Sequence, residues 1–161
     1  MGATVRQLIA PDREAVGAIL AACSAFSEEE VRVAIEMVEA GLAGEYHLLG
    51  VVVDGTLRGY ACSGRAPLTV DSWYLYWICV HPGHQGAGLG RMLQGHVEES
   101  IASFGGGRIV LETSGRPDYE CARGFYRSQG FLHVGTIRNF YRAGDDCLIY
   151  CKSLANAGDP K

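Results

Sequence analysis

The stretch His81-Pro82-Gly83-His84-Gln85-Gly86-Ala87-Gly88-Leu89-Gly90-Arg91 decides how the rest of the chain is read. Before it runs Ser72–Val80, thick with Trp and Tyr, which predicts a strand stopped by Pro82. After it, Leu89, Met92, Leu93, His96, Val97, Ile101 and Phe104 mark a helix that ends at Gly105-Gly106-Gly107. Glycines on alternate positions between a strand and a helix leave backbone N–H groups bare at a helix N-terminus. Orphan donors and the positive end of the helix dipole can cradle a pyrophosphate there, and Arg91 in the first turn adds a cation. Two familiar phosphate turns do not fit. A P-loop wants a Lys and a Ser or Thr after its last glycine, and neither is present. The dinucleotide fingerprint G-x-G-x-x-G finds Arg91 where its final glycine belongs.

Working outward, residues 3–9 predict a short strand. Asp12 is the expected N-cap of a first helix with Val16, Ile19, Leu20 and Cys23 on one face. Ser27 and Glu30 form a capping box for a second helix carrying Val31, Ala34, Ile35, Val38 and Leu42, with Gly44 as its stop. The period then changes: His47–Val53 and Leu57–Ser63 flank Asp54-Gly55-Thr56, a hairpin pattern. Downstream, Arg108–Thr113 predicts a buried strand and Asp118–Gln129 a helix closed by Gly130. Phe131–Tyr141 and Cys147–Leu154 predict a last strand pair around Gly144-Asp145-Asp146. The order β-α-α-β-β-β-α-β-α-β-β implies an α/β (α+β) fold, with a single mixed, mostly antiparallel central sheet of about seven strands flanked by about four helices. Neither repeat nor linker interrupts it, so one domain over residues 1–161 is expected.

Composition excludes several classes of function. With 161 residues, 48% of them hydrophobic, the chain can bury a sizeable core. A net charge of −4 without a basic stripe argues against a nucleic-acid partner. No apolar run approaches the ~20 residues that a bilayer demands. The opening residues Met1–Arg6 lack a basic region followed by an apolar core, so neither membrane association nor a secretory signal is expected. Cys23, Cys62, Cys79, Cys121, Cys147 and Cys151 include no C-x-x-C pair and sit in apolar runs, which predicts reduced core thiols and a cytoplasmic location. Cys147 and Cys151 share a strand face but lie too far apart along it to bridge. No His, Cys and Asp cluster has metal-ligand spacing, and no metal is expected. His81 and His84 read as loop caps, and His47, His96 and His133 as structural.

Gln85, Gly88 and Gly90 match Q-x-x-G-x-G, and Ala122-Arg123-Gly124-Phe125-Tyr126-Arg127-Ser128-Gln129-Gly130-Phe131 matches A-x-x-F-Y-x-x-x-G-F. With both motifs at this separation the chain resembles the GCN5-related N-acetyltransferase (GNAT) superfamily. The resemblance implies that Gln85, Gly86, Ala87, Gly88, Leu89, Gly90 and Arg91 hold the pyrophosphate of acetyl-CoA. It also implies that backbone groups of Ile78, Cys79 and Val80, on a strand that splays from its neighbour, pair with the pantetheine arm and the thioester oxygen.

Acetyl transfer from a thioester to an amine needs a proton acceptor, a stabiliser for the oxyanion and a proton donor for the thiolate. The resemblance assigns the donor to Tyr126, a phenol that stays protonated at neutral pH. Many family members carry a glutamate base where this chain has Tyr74. The other family position, on the following strand, matches Glu112; burial within an apolar strand would raise the pKa of that carboxylate toward useful values. A water chain to Tyr74 or Tyr76 is the alternative, as are solvent or an arginine such as Arg138 for a Glu112 without that role. Tyr119 replaces a family asparagine that contacts the cofactor; its ring could still pack on pantetheine or adenine.

The implied acceptor is a primary amine, of a small molecule or a peptide, acetylated by direct attack in a ternary complex. Arg138-Asn139-Phe140-Tyr141 resembles the hairpin that peptide-directed members place over the acceptor, and Trp73, Tyr74, Tyr76 and Trp77 alternate along the central strand. A homodimer is compatible with the family. The competing reading is an acetyl-CoA-binding sensor or scaffold without turnover, supported by the missing strand glutamate and by Tyr119.

Overall fold

The computed structural model describes residues 2–154. The strands are β1 (Ala3–Gln7), β2 (His47–Val53), β3 (Thr56–Arg65), β4 (Ser72–Val80), β5 (Arg108–Ser114), β6 (Leu132–Arg142) and β7 (Asp145–Ser153). The helices are α1 (Asp12–Ala22), α2 (Glu28–Leu42), α3 (Leu89–Ser103) and α4 (Glu120–Ser128). Seven strands form one mixed sheet in the order β1-β2-β3-β4-β5-β7-β6. The β4–β5 pair is parallel, and the pairs β1–β2, β2–β3, β5–β7 and β6–β7 are antiparallel. The expected element order is therefore the observed one. No helix among the described residues is long and apolar enough to cross a membrane.

The chain falls into two compact units. The first comprises the residues up to Gly64 together with Leu75–Ser100. Its hairpin turns at Asp54 and Gly55, with φ of 48° and 76°. Two left-handed residues in succession match the twist of the flanking strands, which is why Asp-Gly is read so readily there. Val16, Ile19 and Leu20 of α1 pack with Ala34 and Val38 of α2 over Leu48, Leu57 and Tyr60. Each buried aliphatic side chain stabilises by roughly 1.5–3 kcal/mol.

The predicted capping box is present. The Ser27 hydroxyl accepts from the Glu30 N–H at 3.2 Å, and the Ser27 N–H donates to the Glu30 carboxylate at 2.6 Å. Asp12 is not the N-cap of α1: Pro11 occupies that position without a side-chain cap. The Asp12 carboxylate instead turns back to accept from the Ile9 N–H at 2.8 Å and from both terminal nitrogens of Arg6, at 2.7 and 3.0 Å. An arginine at the end of β1 outcompetes the helix's own donors. On α3 the buried stripe is Leu89, Leu93 and Val97, while Met92 and His96 face solvent. Gln94, a polar residue outside the expected stripe, is fully buried and donates to Glu98 at 3.0 Å.

The second unit comprises Arg65–Tyr74 and the described residues from Ile101 onward. The register of β4 with β5 consists of Ser72 with Arg108, Trp73 with Ile109 and Tyr74 with Val110. Strand β5 pairs with β7 along its whole length, from Arg108 opposite Ser153 to Ser114 opposite Cys147. Trp73 is buried and stacks on Phe104, ring centroids 5.8 Å apart. The expected helix over Asp118–Gln129 is shorter than its pattern suggested. Pro117, with its fixed φ, opens a 3-10 turn over Pro117–Tyr119, and the α-helix begins at Glu120. Gly130, at φ 89°, ends it, with Lys152 Nζ donating to the Gln129 carbonyl at 2.6 Å.

Candidate active site

In the first unit the end of β4 runs into a turn held mostly by its own atoms. The His81 N–H donates to the Arg58 carbonyl at 2.7 Å, and His81 Nδ1 accepts from the Gly83 N–H at 3.0 Å, so His81 caps the 3-10 turn Pro82–His84. The His84 ring sits edge-on to His81, centroids 5.6 Å apart. Gln85 Nε2 reaches back to donate to the Val80 carbonyl at 3.1 Å, fastening the turn to the strand that carries Ile78, Cys79 and Val80. The glutamine of the Q-x-x-G-x-G motif thus has a geometric task in the protein itself.

Gly86 and Gly88 both adopt φ 80°, and a Cβ built on either would meet nothing within 4 Å. A left-handed glycine pair directly before a helix leaves the backbone there open, with no side chain of its own to cover it. The Gly88 carbonyl accepts from the Met92 N–H at 3.0 Å, so α3 starts at once, and the N–H groups of its first turn have no acceptor within the helix. Ala87 lies between the two glycines, Leu89 is buried as the anchor of the first turn, and Gly90 and Arg91 follow it, with Arg91 exposed. Those donors, the dipole and a guanidinium suit an anion of the size of a pyrophosphate.

The second unit supplies side chains. Tyr126, on α4, is half-buried among Phe125, Phe131 and Tyr150, with ring centroids 5.9, 6.0 and 6.3 Å away. Glu112, on β5, is exposed, so the burial expected for it is absent. It lies opposite Ile149 in the sheet, while its neighbour Leu111 lies opposite Tyr150. Cross-strand partners share a face and successive residues alternate. Tyr150, against which Tyr126 packs, therefore belongs to the face opposite that of Glu112. On the Glu112 side, Tyr141 donates to Cys147 Sγ at 3.8 Å. Burial first, then the hydrogen bond to Cys147 and the nearby charges of Cys147, Glu112 and Asp145, push the Tyr141 phenol above its ordinary range. The two predicted proton-transfer residues thus stand on opposite faces of the β5–β7 ladder.

Tyr119 sits at the N-cap of α4 with the Arg116 guanidinium 5.4 Å above its ring. The loop between Glu112 and Tyr126 is held by charges that sequence reasoning passed over. Arg123 is buried and donates to the carbonyls of Ser114 at 2.6 Å and Arg116 at 2.9 Å, and to the Glu120 carboxylate at 2.8 Å. Asp145 is buried as well; it accepts from the Ser114 hydroxyl and lies 3.7 Å from Arg116 Nε and 3.8 Å from Arg142 Nε. Glu120, exposed, also meets Arg127 at 2.6 Å, and these guanidinium contacts hold its carboxyl below the usual range. An arginine three residues after a glutamate was the available signal for part of this network.

The remaining expectations are settled locally. His47 is half-buried against the Ser100 hydroxyl at 2.6 Å, and burial lowers its pKa. His96 and His133 contact nearby backbone carbonyls, Met92 and Gly135. Cys121 is exposed, contrary to its expected place in the core. Trp77 packs edge-on to Phe26 at 5.4 Å and donates to Met37 Sδ at 3.3 Å. Tyr76 faces Tyr46 at 5.3 Å.

The sequence profile of the acetyltransferase (GNAT) family matches residues 8–131. An N-alpha-acetyltransferase RimI from Mycobacterium tuberculosis is 37% identical over 116 residues, covering 71% of this chain and 68% of that protein. Among solved structures, a chain assigned to the GNAT family of acetyltransferases from Desulfovibrio desulfuricans superposes with a TM-score of 0.91 at 35% identity. That match covers 96% of this chain and 100% of the other. The ribosomal-protein-S18-alanine N-acetyltransferase of Escherichia coli shares the fold, with a TM-score of 0.79 at 24% identity over 98% of this chain and 97% of its own.

Proposed function

Since the chain belongs to the acetyltransferase (GNAT) family, whose acyl donor is acetyl-CoA, we propose that it acetylates the α-amino group at the N-terminus of a peptide or protein. The observation that carries the donor half is the open, left-handed Gly86–Gly88 backbone at the start of α3. In this reading Gln85, Gly86, Ala87, Gly88, Leu89, Gly90 and Arg91 hold the pyrophosphate by backbone donors and one cation. Backbone groups of Ile78, Cys79 and Val80 take the pantetheine arm and the thioester oxygen, and Tyr119 lends its ring. Tyr126 delivers its phenolic proton to the departing thiolate, and Glu112 receives the proton of the attacking amine. Because Tyr126 and Glu112 stand on opposite faces of the β5–β7 ladder, this reading requires the acid and the base to reach the one reacting carbon from two sides.

The choice of acceptor rests on acidity. An alkylamine, with a pKa near 10.4, needs a strong base before it can attack, whereas an α-amine near 7.7–8.0 is substantially neutral around pH 7.5. An exposed Glu112, with Tyr74 at the strand position where many family members carry a glutamate, suits the less demanding amine. The M. tuberculosis relative carries the name of an N-alpha-acetyltransferase, which supports the same acceptor class. A cytoplasmic location, where peptides and acetyl-CoA meet, completes the proposal.

The experiment is incubation of the pure protein with acetyl-CoA and a mixed extract of peptides and metabolites. Mass spectrometry scores each species that gains one acetyl group, alongside released CoA. Acetylated peptide N-termini are expected. Labelling confined to lysine side chains or small polyamines overturns the acceptor assignment. Bound acetyl-CoA with no product and no CoA release makes the protein a sensor.

A further inference from the structure

Within the first unit, Cys23 and Cys79 lie 56 residues apart in sequence, yet their sulfur atoms are 3.1 Å apart and share a proton. Cys23 is the residue just past the end of α1, in extended conformation at φ −85° and ψ 104°, and it is half-buried. Cys79 lies on β4 and is buried in the apolar cluster that also holds Tyr60 and Cys62. One thiol can be reached from solvent, its partner is sheltered, and the gap exceeds a disulfide bond of ~2.05 Å by about 1 Å. A residue just outside a helix can make up that distance without disrupting the helix.

We propose that Cys23 and Cys79 are a reversible dithiol–disulfide pair, oxidised by a hydroperoxide and reduced by a small thiol. The Cys23 thiolate attacks one oxygen of hydrogen peroxide; the O–O bond breaks, hydroxide leaves and takes up a proton as water, and Cys23 becomes a sulfenic acid. The Cys79 sulfur then gives up its proton and attacks the Cys23 sulfur. The S–O bond breaks and the second water departs. Two thiols and one peroxide give one disulfide and two waters, with two electrons passing from sulfur to oxygen. A small thiol reverses the bond through a mixed disulfide and leaves as its own disulfide. The hydrogen bond from Cys79 favours the Cys23 thiolate, while that same bond and burial hold Cys79 protonated, so attacking and resolving roles are already divided. Cys62, fully buried and pushed up to about 12 by desolvation, has neither role.

The test treats the reduced full-length protein with a small excess of hydrogen peroxide, counts free thiols and maps linked peptides by mass spectrometry. The expected first event is the loss of two of the six thiols, with Cys23 joined to Cys79, restored in full by dithiothreitol. Cys23→Ser, at a half-buried position, abolishes the linked peptide, and Cys121→Ser leaves it unchanged. Three results overturn the pairing: thiol loss confined to Cys121, a bond from Cys23 to Cys62, or Cys23 advancing to sulfinic acid while Cys79 stays a free thiol.

Discussion

The turn at residues 85–91 and the β5–α4 region use opposite materials for their parts of the proposed reaction. The turn is almost entirely backbone: two left-handed glycines, a helix N-terminus, and a glutamine whose side chain fastens the loop to β4. The β5–α4 region is almost entirely side chain. Tyr126 is set among aromatic rings, and the loop before it is held by buried Arg123 and Asp145. A phosphate binds whatever presents N–H groups in the right array, so the turn needs only conformation. Proton transfer needs one particular group at one particular place, and in the second region Tyr126 is the group that packed rings hold, whereas Glu112 is exposed.

The sharpest way to break this comparison is Tyr126→Phe. The ring contacts survive and only the hydroxyl is lost, so kcat should fall about 10²-fold or more while acetyl-CoA affinity stays within a factor of two or so. Wild-type turnover in that variant removes Tyr126 as the acid. Gly88→Val attacks the other region and should do the reverse. A β-branched residue at φ 80° is strained by ~1–3 kcal/mol and projects its methyl groups into the space beside the backbone donors. Acetyl-CoA should bind about tenfold to a hundredfold more weakly by calorimetry, with kcat at saturation little changed. Gly88→Ala separates obstruction from strain, because it adds one carbon into open space. Unchanged affinity in both variants means that the pyrophosphate is held elsewhere.

The same contrast explains what is legible in the sequence. Gly86, Gly88, Gly55 and Gly130 occur where the chain must take a positive φ, so conformation is written into residue type. Ser27 and Glu30 found each other because both partners of a capping box are local. Asp12 deceived by that same local logic, since its true partner Arg6 belongs to a strand. Asp145 was illegible because a polar residue reads as solvent-facing until a distant partner, here Ser114, is known; Arg123 and Gln94 each have a partner within about one helical turn, and what the sequence hides is their burial. For Glu112 the strand was right and the environment wrong: alternation says which residues share a face, not which face is covered.

Asp12 also gives the smallest and most discriminating test, because its carboxylate and that of Glu120 should respond differently to salt. The Arg6 hydrogen bonds and the Ile9 N–H hold the Asp12 carboxyl below its ordinary value of 3.8, against a burial cost that works the other way. A carboxylate with a depressed folded-state pKa contributes stability that is fully present above its unfolded value and disappears as pH falls through the folded one. Asp12→Asn should therefore cost about 1–3 kcal/mol near neutral pH, a loss of ~2–4 °C in Tm for each kcal/mol. The gap between wild type and variant should narrow steadily below about pH 4. Glu120 in the second unit is depressed too, but it is exposed, so the effect of Glu120→Gln should fade with added salt where that of Asp12→Asn persists. A destabilisation by Asp12→Asn that is the same at pH 3 and pH 7 would show that the carboxylate acts through shape and not through its charge.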